Sequence, residues 1–471
     1  MSMKTWLLII TPLYVILLGT LAIRSRRGQK SETDFLLGNA KLGLVIGLLT
    51  TAASLFSAFT LQGMPDFFRQ HGIGAWIFLA VSDAFMVFGI IWFAYHLRKK
   101  VRSTGKGFNG VGGMLAESYR TPWAGIVYFV GVFIFLVPYV AIQIRGITIF
   151  LEATFPSLLP DWGWALAIVV LMLLYSETGG LKAIIYADVM QAVLLMIVVW
   201  VIAYTCVNSL GGITAMFEQV EQQNAALLST PGPKNLFSGQ FLFASMIGIV
   251  FIPITQPHIT TRLVIMKSIN ETHRMAMGLG VFAMMVILPT LAIGFYGAIR
   301  YAELPTDEFL SQVLLFDQLG IIAALGIVGL VAASISTSDS QIFALGTEFR
   351  MLLGKRVTGL LTMRITIIVF AVAALVFSLM SSDELVLLTR ASFTGTAMMG
   401  PLILAAILRK NPPAQWLIPA TALGLLTFLL TQFNVIPKSV LGLSLDWLII
   451  AILGILAFLA RSSKPNHEPN G

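Results

Sequence analysis

The chain has 471 residues, 57% hydrophobic and 11% charged, with a mean hydropathy of +0.88. A soluble globular domain carries about 25% charged residues, so a water-soluble fold is excluded and an integral membrane protein is expected. The formal charge of +8 then reads as membrane topology and contact with anionic lipid rather than as a nucleic-acid surface, and a single cysteine excludes an intrachain disulfide and any cysteine-based metal site.

Apolar stretches long enough to span recur along the whole length, about thirteen of them, centred near residues 13, 54, 85, 137, 168, 195, 248, 286, 332, 370, 396, 424 and 451. This pattern predicts an all-α polytopic membrane protein in one transmembrane domain, because a barrel would show short alternating segments instead. The first span, Trp6 to Ile23, precedes RSRRGQK without a small-residue cleavage site, so it is kept as a helix. An N-out, C-in arrangement places most of the Lys and Arg residues on one face: RSRRGQK, HLRKKVRSTGK, the loop around Arg262 and Lys267, GKR at 354 to 356, RK at 409 and 410, and the tail.

The second span contains TTAASLFSAFTLQG, whose small residues and following Gly63 and Pro65 suit an interrupted helix with free carbonyls. Free carbonyls beside hydroxyls form a hard-oxygen site fit for a small monovalent cation; the same hydroxyls can instead bond back to their own helix. In the third span, Asp83 lies nine residues from Gly74, roughly 13 Å deep by helical rise. A carboxyl there needs a cavity or a partner. It either meets a hydroxyl or ammonium group of a substrate, titrates, or packs protonated against a neighbouring helix. The fourth span reads VPYVAIQIRG, where Tyr139, Gln143 and Gly146 share one face.

The sixth span opens with ETGGLKAIIYADVMQ, placing Asp188 about five residues deep, either on a cation path or as an interfacial cap or partner of Lys182. Cys206, near its outer end, is expected to be a buried, inert thiol. The segment from about Asn208 to Gly239 is the longest loop, with a polar amphipathic stretch. Pro253 and Pro257 mark the seventh span as a second interruptible helix. The ninth carries VAASISTSDSQ: Ser336 and Thr337 fall near mid-membrane, at the level of Ala53 to Ser57, with Asp339 and Ser340 lower, near the depth of Asp188. Arg145 and Arg390 also fall within spans, where they snorkel or meet a carboxylate.

Four of these stretches, in order and on matching helices, resemble the sodium/solute symporter family of proline and pantothenate permeases and sodium/glucose cotransporters. They are SAFTLQGMPDFFRQHGIG at 57 to 74, TGGLKAIIYADVMQ at 178 to 191, TQPHITTR at 255 to 262, and VAASISTSDSQ at 331 to 341. Pro65-Asp66 replaces the more usual Pro-Gly, and Ala187 a Thr or Ser. The resemblance implies a five-plus-five inverted-repeat transporter core. Residues 44–207 form one repeat and 238–408 the other; 1–43 hold a peripheral helix and cytoplasmic loop, and 409–471 two peripheral helices and a tail.

It further implies a sodium site made by the carbonyls of Ala53, Phe56 and Ala333 and the hydroxyls of Ser336 and Thr337. A second cation site or exit path maps to Asp188, Ser336, Asp339 and Ser340, with Asp339 where serine is found in members that have that site. By family position Ser57, Phe59, Thr60 and Phe393 join Tyr139, Gln143 and Asp83 at the substrate. An acidic residue and a tryptophan stand at Leu55 and Phe59 in the proline branch, which disfavours proline. The expected activity is sodium-coupled import of a small polar metabolite across the inner or plasma membrane, with no enzymatic step, no nucleic acid and no obligate protein partner. The alternatives are a proton-coupled permease of the same fold and a membrane sensor.

Overall fold

The computed structural model describes residues 1–26, 41–104, 108–156, 158–353, 360–380 and 385–460. The latter part of RSRRGQK, the GKR segment and the tail lie outside the described residues. The principal helices are α1 (Met3–Arg26), α2 (Leu44–Leu55), α3 (Ala58–Leu61), α4 (Gly63–His71), α5 (Ser82–Thr104), α6 (Gly110–Tyr119), α7 (Pro122–Thr154), α8 (Asp161–Ser209), α9 (Gly239–Thr255), α10 (Pro257–Ile265), α11 (Ile269–Arg300), α12 (Gly320–Leu352), α13 (Leu360–Met380), α14 (Leu385–Ala397), α15 (Gly400–Leu408), α16 (Leu417–Gln432) and α17 (Leu445–Leu459). The described strands are two residues each, Ser439–Val440 and Leu443–Ser444, an antiparallel hairpin just before α17.

Eight described helices are long and apolar enough to cross a membrane, and ten if each of two bent pairs counts as one span. Three shorter apolar helices, Asp161–Leu173, Leu417–Gln432 and Leu445–Leu459, occupy the remaining expected positions. The expected fifth and sixth spans meet inside α8 at Gly180, whose φ of 58° and ψ of −166° lie in a region open to glycine. The amphipathic loop stretch forms a helix, Ile213–Asn224, and a 3₁₀ turn, Ala225–Leu228.

The bent pairs are α2 with α3 and α4 (65°) and α9 with α10 (56°). In the first, the break falls at Phe56 and Ser57 rather than at Pro65, because Pro65 sits in the first turn of α4, where a missing N–H costs nothing. In the second, Gln256 takes extended dihedrals and Pro257 opens α10. The chain entering one pair is tied to the chain leaving the other: Leu42 N–H donates to Ile265 O (3.0 Å) and Lys267 N–H to Leu42 O (2.9 Å).

At this same end of the bundle the carboxylate of Glu348, on the last turns of α12, accepts from Val111 N–H (2.7 Å) and Gly112 N–H (2.9 Å). An acid on the N-terminus of α6 satisfies orphan amides and the helix dipole together. At the opposite end Arg69 pairs with Asp66 (2.7 Å), donates to Tyr301 O and Leu304 O (2.8 Å each) and lies over the Phe309 ring. That fastens α4 to the chain after α11. Gly294 of α11 lets the two helices approach closely, since a Cβ there would stand 2.5 Å from Pro65 O.

Candidate functional site

Breaking a helix in a membrane releases backbone groups that must find partners. Around Phe56 and Ser57 they find them in side chains of two other helices. Ser57 and Thr60 form a capping box: Ser57 N–H donates to Thr60 Oγ1 (3.2 Å), and Ser57 Oγ accepts from Phe59 N–H (3.3 Å). From α7, Gln143 Oε1 accepts from Ala58 N–H (3.2 Å) and Tyr139 O–H donates to Leu55 O (3.2 Å). One turn on, Gly146 O accepts from Gln62 Nε2 (2.6 Å), and a side chain at Gly146 would collide with that amide. The shared face of Tyr139, Gln143 and Gly146 therefore lies along the first broken helix.

The third partner is α12. Thr337 Oγ1 donates to Ala53 O (3.1 Å), and Ser336 Oγ lies 3.3 Å from the same oxygen. Ala53, Phe56, Ala333, Ser336 and Thr337 are all buried. The helix is longer than expected, ending at Leu352 rather than near Leu345, so Ser336 stands at its midpoint. Two hydroxyls and a main-chain carbonyl at a helix break are neutral oxygen donors of the kind that replace a small cation's hydration shell. The second break is bridged from α7 as well, by Tyr128 O–H on Thr255 O (3.1 Å). Among the described residues both ring nitrogens of buried His258 and Nε2 of Gln256 have no hydrogen-bond partner.

Next to this oxygen cluster is a buried ion pair. Asp188 of α8 accepts from Arg262 NH2 (2.8 Å), Thr50 Oγ1 (2.5 Å) and Ser336 Oγ (2.5 Å). Arg262 also donates from NH2 to Ser340 Oγ (2.8 Å), from Nε to Thr50 Oγ1 (2.9 Å) and from NH1 to His258 O (2.9 Å). Arg262 thus lies on α10, 1% exposed, and not in a loop: the proline at α10's start keeps the following residues helical and turns Arg262 inward, one turn after His258. Its guanidinium bonds two of the residues expected to hold a second cation, Asp188 and Ser340, and it rather than Lys182 is the partner of Asp188. Asp339 is 1% exposed, and among the described residues neither of its carboxylate oxygens has a partner.

Asp83 follows a π-helical turn, Ile77–Val81, a feature frequent at functional sites. At about 100° per residue along α5 it shares the face of buried Met86 and Ile90 and points away from lipid-exposed Phe85 and Phe88. It is half-buried, within electrostatic reach of Tyr139, and without a hydrogen-bond or ion-pair partner among the described residues. The Phe393 ring of α14 lies tilted against Tyr139, ring centroids 5.1 Å apart and planes at 58°. Phe59 is buried against Gly63. Cys206 is buried as expected.

Neither spanning arginine left open by the sequence snorkels free: Arg390 pairs with Asp446 (2.6 Å) and lies over Phe241, and Arg145 pairs with Asp161 (3.4 Å). Thr50 and Arg262 are the members of the buried Asp188 cluster absent from the expected site residues. Thr50 was legible as the residue one turn before Ala53 and Ser54.

The family model described as "Sodium:solute symporter family" matches residues 35–411. An uncharacterized symporter of Bacillus subtilis, YodF, is 25% identical over 97% of this chain and 94% of its own length. The sodium/proline symporter of Escherichia coli is 21% identical, covering 96% and 94%, and the sodium/pantothenate symporter of Haemophilus influenzae 23%, covering 67% and 65%. Among solved structures, a Na⁺-coupled sialic acid symporter in a substrate-bound outward-open state superposes with a TM-score of 0.77 at 17% identity, over 98% of both chains. A nucleobase-cation-symport-1 family transporter gives 0.59 at 13% identity, over 91% of this chain and 95% of its own.

Proposed function

Because the chain belongs to the sodium:solute symporter family, we propose that it is a sodium-coupled symporter importing a small polar metabolite by alternating access. The observation that carries this reading is the convergence of the Ser336 and Thr337 hydroxyls on the Ala53 carbonyl at the break in the first bent helix. The Ser336 proton is turned to Asp188, and rotating the Thr337 proton away leaves two hydroxyl oxygens and the carbonyl as ligands facing one cation. The carbonyls of Phe56 and Ala333 complete the proposed sodium site. The two bent helices each begin one repeat of a five-plus-five core, residues 44–207 and 238–408, in thirteen spans oriented N-out, C-in in the plasma membrane. One charge crossing ~100 mV supplies about 2.3 kcal/mol, roughly fifty-fold accumulation.

Substrate binds beside the same break, on Ser57, Phe59, Thr60, Tyr139, Gln143, Phe393 and Asp83. The charge pattern favours a substrate with an ammonium or hydroxyl donor. Arg69, Arg145, Arg262 and Arg390 are each paired with an aspartate, which leaves no free cation there among the described residues to receive a carboxylate, whereas Asp83 is unpartnered. Asp188, Asp339 and Ser340 form the path by which the ion leaves, with Arg262 standing in it as a tethered cation.

Uptake by proteoliposomes across a panel of amino compounds, polyols and carboxylates, with sodium or a proton gradient as the driving force, tests the proposal. Sodium-dependent uptake of a donor-bearing solute is expected. Uptake that follows the proton gradient and ignores sodium would replace it with the proton-coupled reading, and absence of uptake across the panel with either gradient would favour a sensor.

A further inference from the structure

Between α9, α15 and α17, on the outer surface of the bundle, lies a groove of about 720 Å³. Its floor is apolar, with Phe251, Leu404, Ile450 and Gly454; its mouth carries Arg409 and Lys410. Gly454 opens it: a Cβ built there meets nothing within 4 Å. Leu408 and Phe458 flank it, 47% and 75% exposed, so this wall faces hydrocarbon.

The mouth is basic by construction. Arg409 donates from NH2 to Ala457 O (2.6 Å) and Phe458 O (2.9 Å), satisfying the last carbonyls of α17 and fixing its charge at the groove's end. Lys100 Nζ donates to Arg409 O (3.3 Å), bringing a second cation beside it. Lys410 is the third. Among the described residues none of the three has an acidic partner. Basic pockets between spanning helices at one membrane face recognise anionic head groups, and the volume falls in the range of ligand sites, ~300–1,000 Å³.

We propose that this groove binds an anionic phospholipid, one acyl chain lying along Gly454 and the phosphate held by Arg409, Lys410 and Lys100. The occupant is fixed by charge complementarity: three unneutralised cations at the end of an apolar furrow suit a negatively charged lipid better than a zwitterionic one.

Native mass spectrometry of the full chain, titrated with phosphatidylglycerol or phosphatidylcholine, tests this. Retention of phosphatidylglycerol over phosphatidylcholine is expected. Lys410→Gln should weaken phosphatidylglycerol about fivefold, the loss of one interfacial charge. Gly454→Leu starts from a Cβ with open space around it, projects into the furrow and improves helix propensity; it should abolish retention while leaving thermal unfolding in lipid-free detergent unchanged, and Gly454→Ala should keep most of it. Equal retention of both lipids, unaffected by Lys410→Gln, overturns the proposal even if Gly454→Leu fails to fold. A dimer dissolved by Gly454→Leu would instead make the groove an interface between two copies, and also overturns it.

Discussion

Replacing Asp188 with asparagine preserves shape and at least one acceptor oxygen while removing the charge that faces Arg262. Both side chains are 1% exposed or less and separated by 2.8 Å at their closest atoms. With charge centres about 4 Å apart and an effective dielectric near 20, the attraction is about 4 kcal/mol. Stranding one member of a buried pair costs about 3–5 kcal/mol, so Asp188→Asn and Arg262→Gln should each destabilise by roughly that amount. The double variant strands neither charge and should cost much less than the sum, a coupling of about 2–3 kcal/mol in a double-mutant cycle. Equilibrium unfolding in mixed detergent micelles measures all four species. Additivity within about 0.5 kcal/mol would refute the pair. A transport readout separates stability from function: Ser336 donates to Asp188 and stands 3.3 Å from Ala53 O, so Asp188→Asn should also weaken sodium activation in protein that is fully inserted.

Thr337→Val together with Ser336→Ala removes both hydroxyls and should raise the sodium concentration for half-maximal uptake at least tenfold, about 1.4 kcal/mol; unchanged sodium dependence in well-expressed protein would eliminate these ligands. Asp83→Asn should raise the half-saturating substrate concentration with sodium affinity little changed, and parental values for both would make Asp83 structural. Gly294→Ala sets a Cβ 2.5 Å from Pro65 O and 2.6 Å from Phe68 Cβ, backbone-anchored atoms that cannot swing aside. It should destabilise by about 1–3 kcal/mol, and a thermal midpoint equal to the parent's would show that α4 and α11 can part freely.

The spans and the two broken helices were legible because a membrane imposes a strong pattern: long apolar runs, with proline and small residues where the backbone opens. The position of the first break was not legible from proline alone. Proline is tolerated in a first turn, so Pro65 marks where α4 starts, and the opening falls nine residues earlier at Phe56, where Ser57, Thr60 and Gln143 supply the replacement hydrogen bonds. The meeting of Ser336 and Thr337 with Ala53 was readable from depth, since rise per residue is fixed. Azimuth was not, and this is why Arg262 was assigned to a loop. Adjacency to Lys267 made it look like one of a cluster of interfacial charges, while its helical phase after Pro257 turns it onto Asp188.

The pairing of the arginines bears on the chemistry of the whole interior. Arg69, Arg145, Arg262 and Arg390 are each matched by an aspartate, so these four pairs contribute little net field at the centre of the bundle. Among the described residues, Asp83 is half-buried without a hydrogen-bond or ion-pair partner and both oxygens of Asp339 are buried without one, whereas Glu348 is satisfied by backbone amides. An interior balanced in this way is biased toward cations, because bringing in a positive charge satisfies an existing deficit while an isolated anion would face both desolvation and repulsion. In the proposed function the bias acts at two separate places, beside Tyr139 for the substrate and below Thr337 for the ion. Removing Asp83 and removing Asp339 should therefore shift different saturation curves, substrate in the first case and coupling ion in the second.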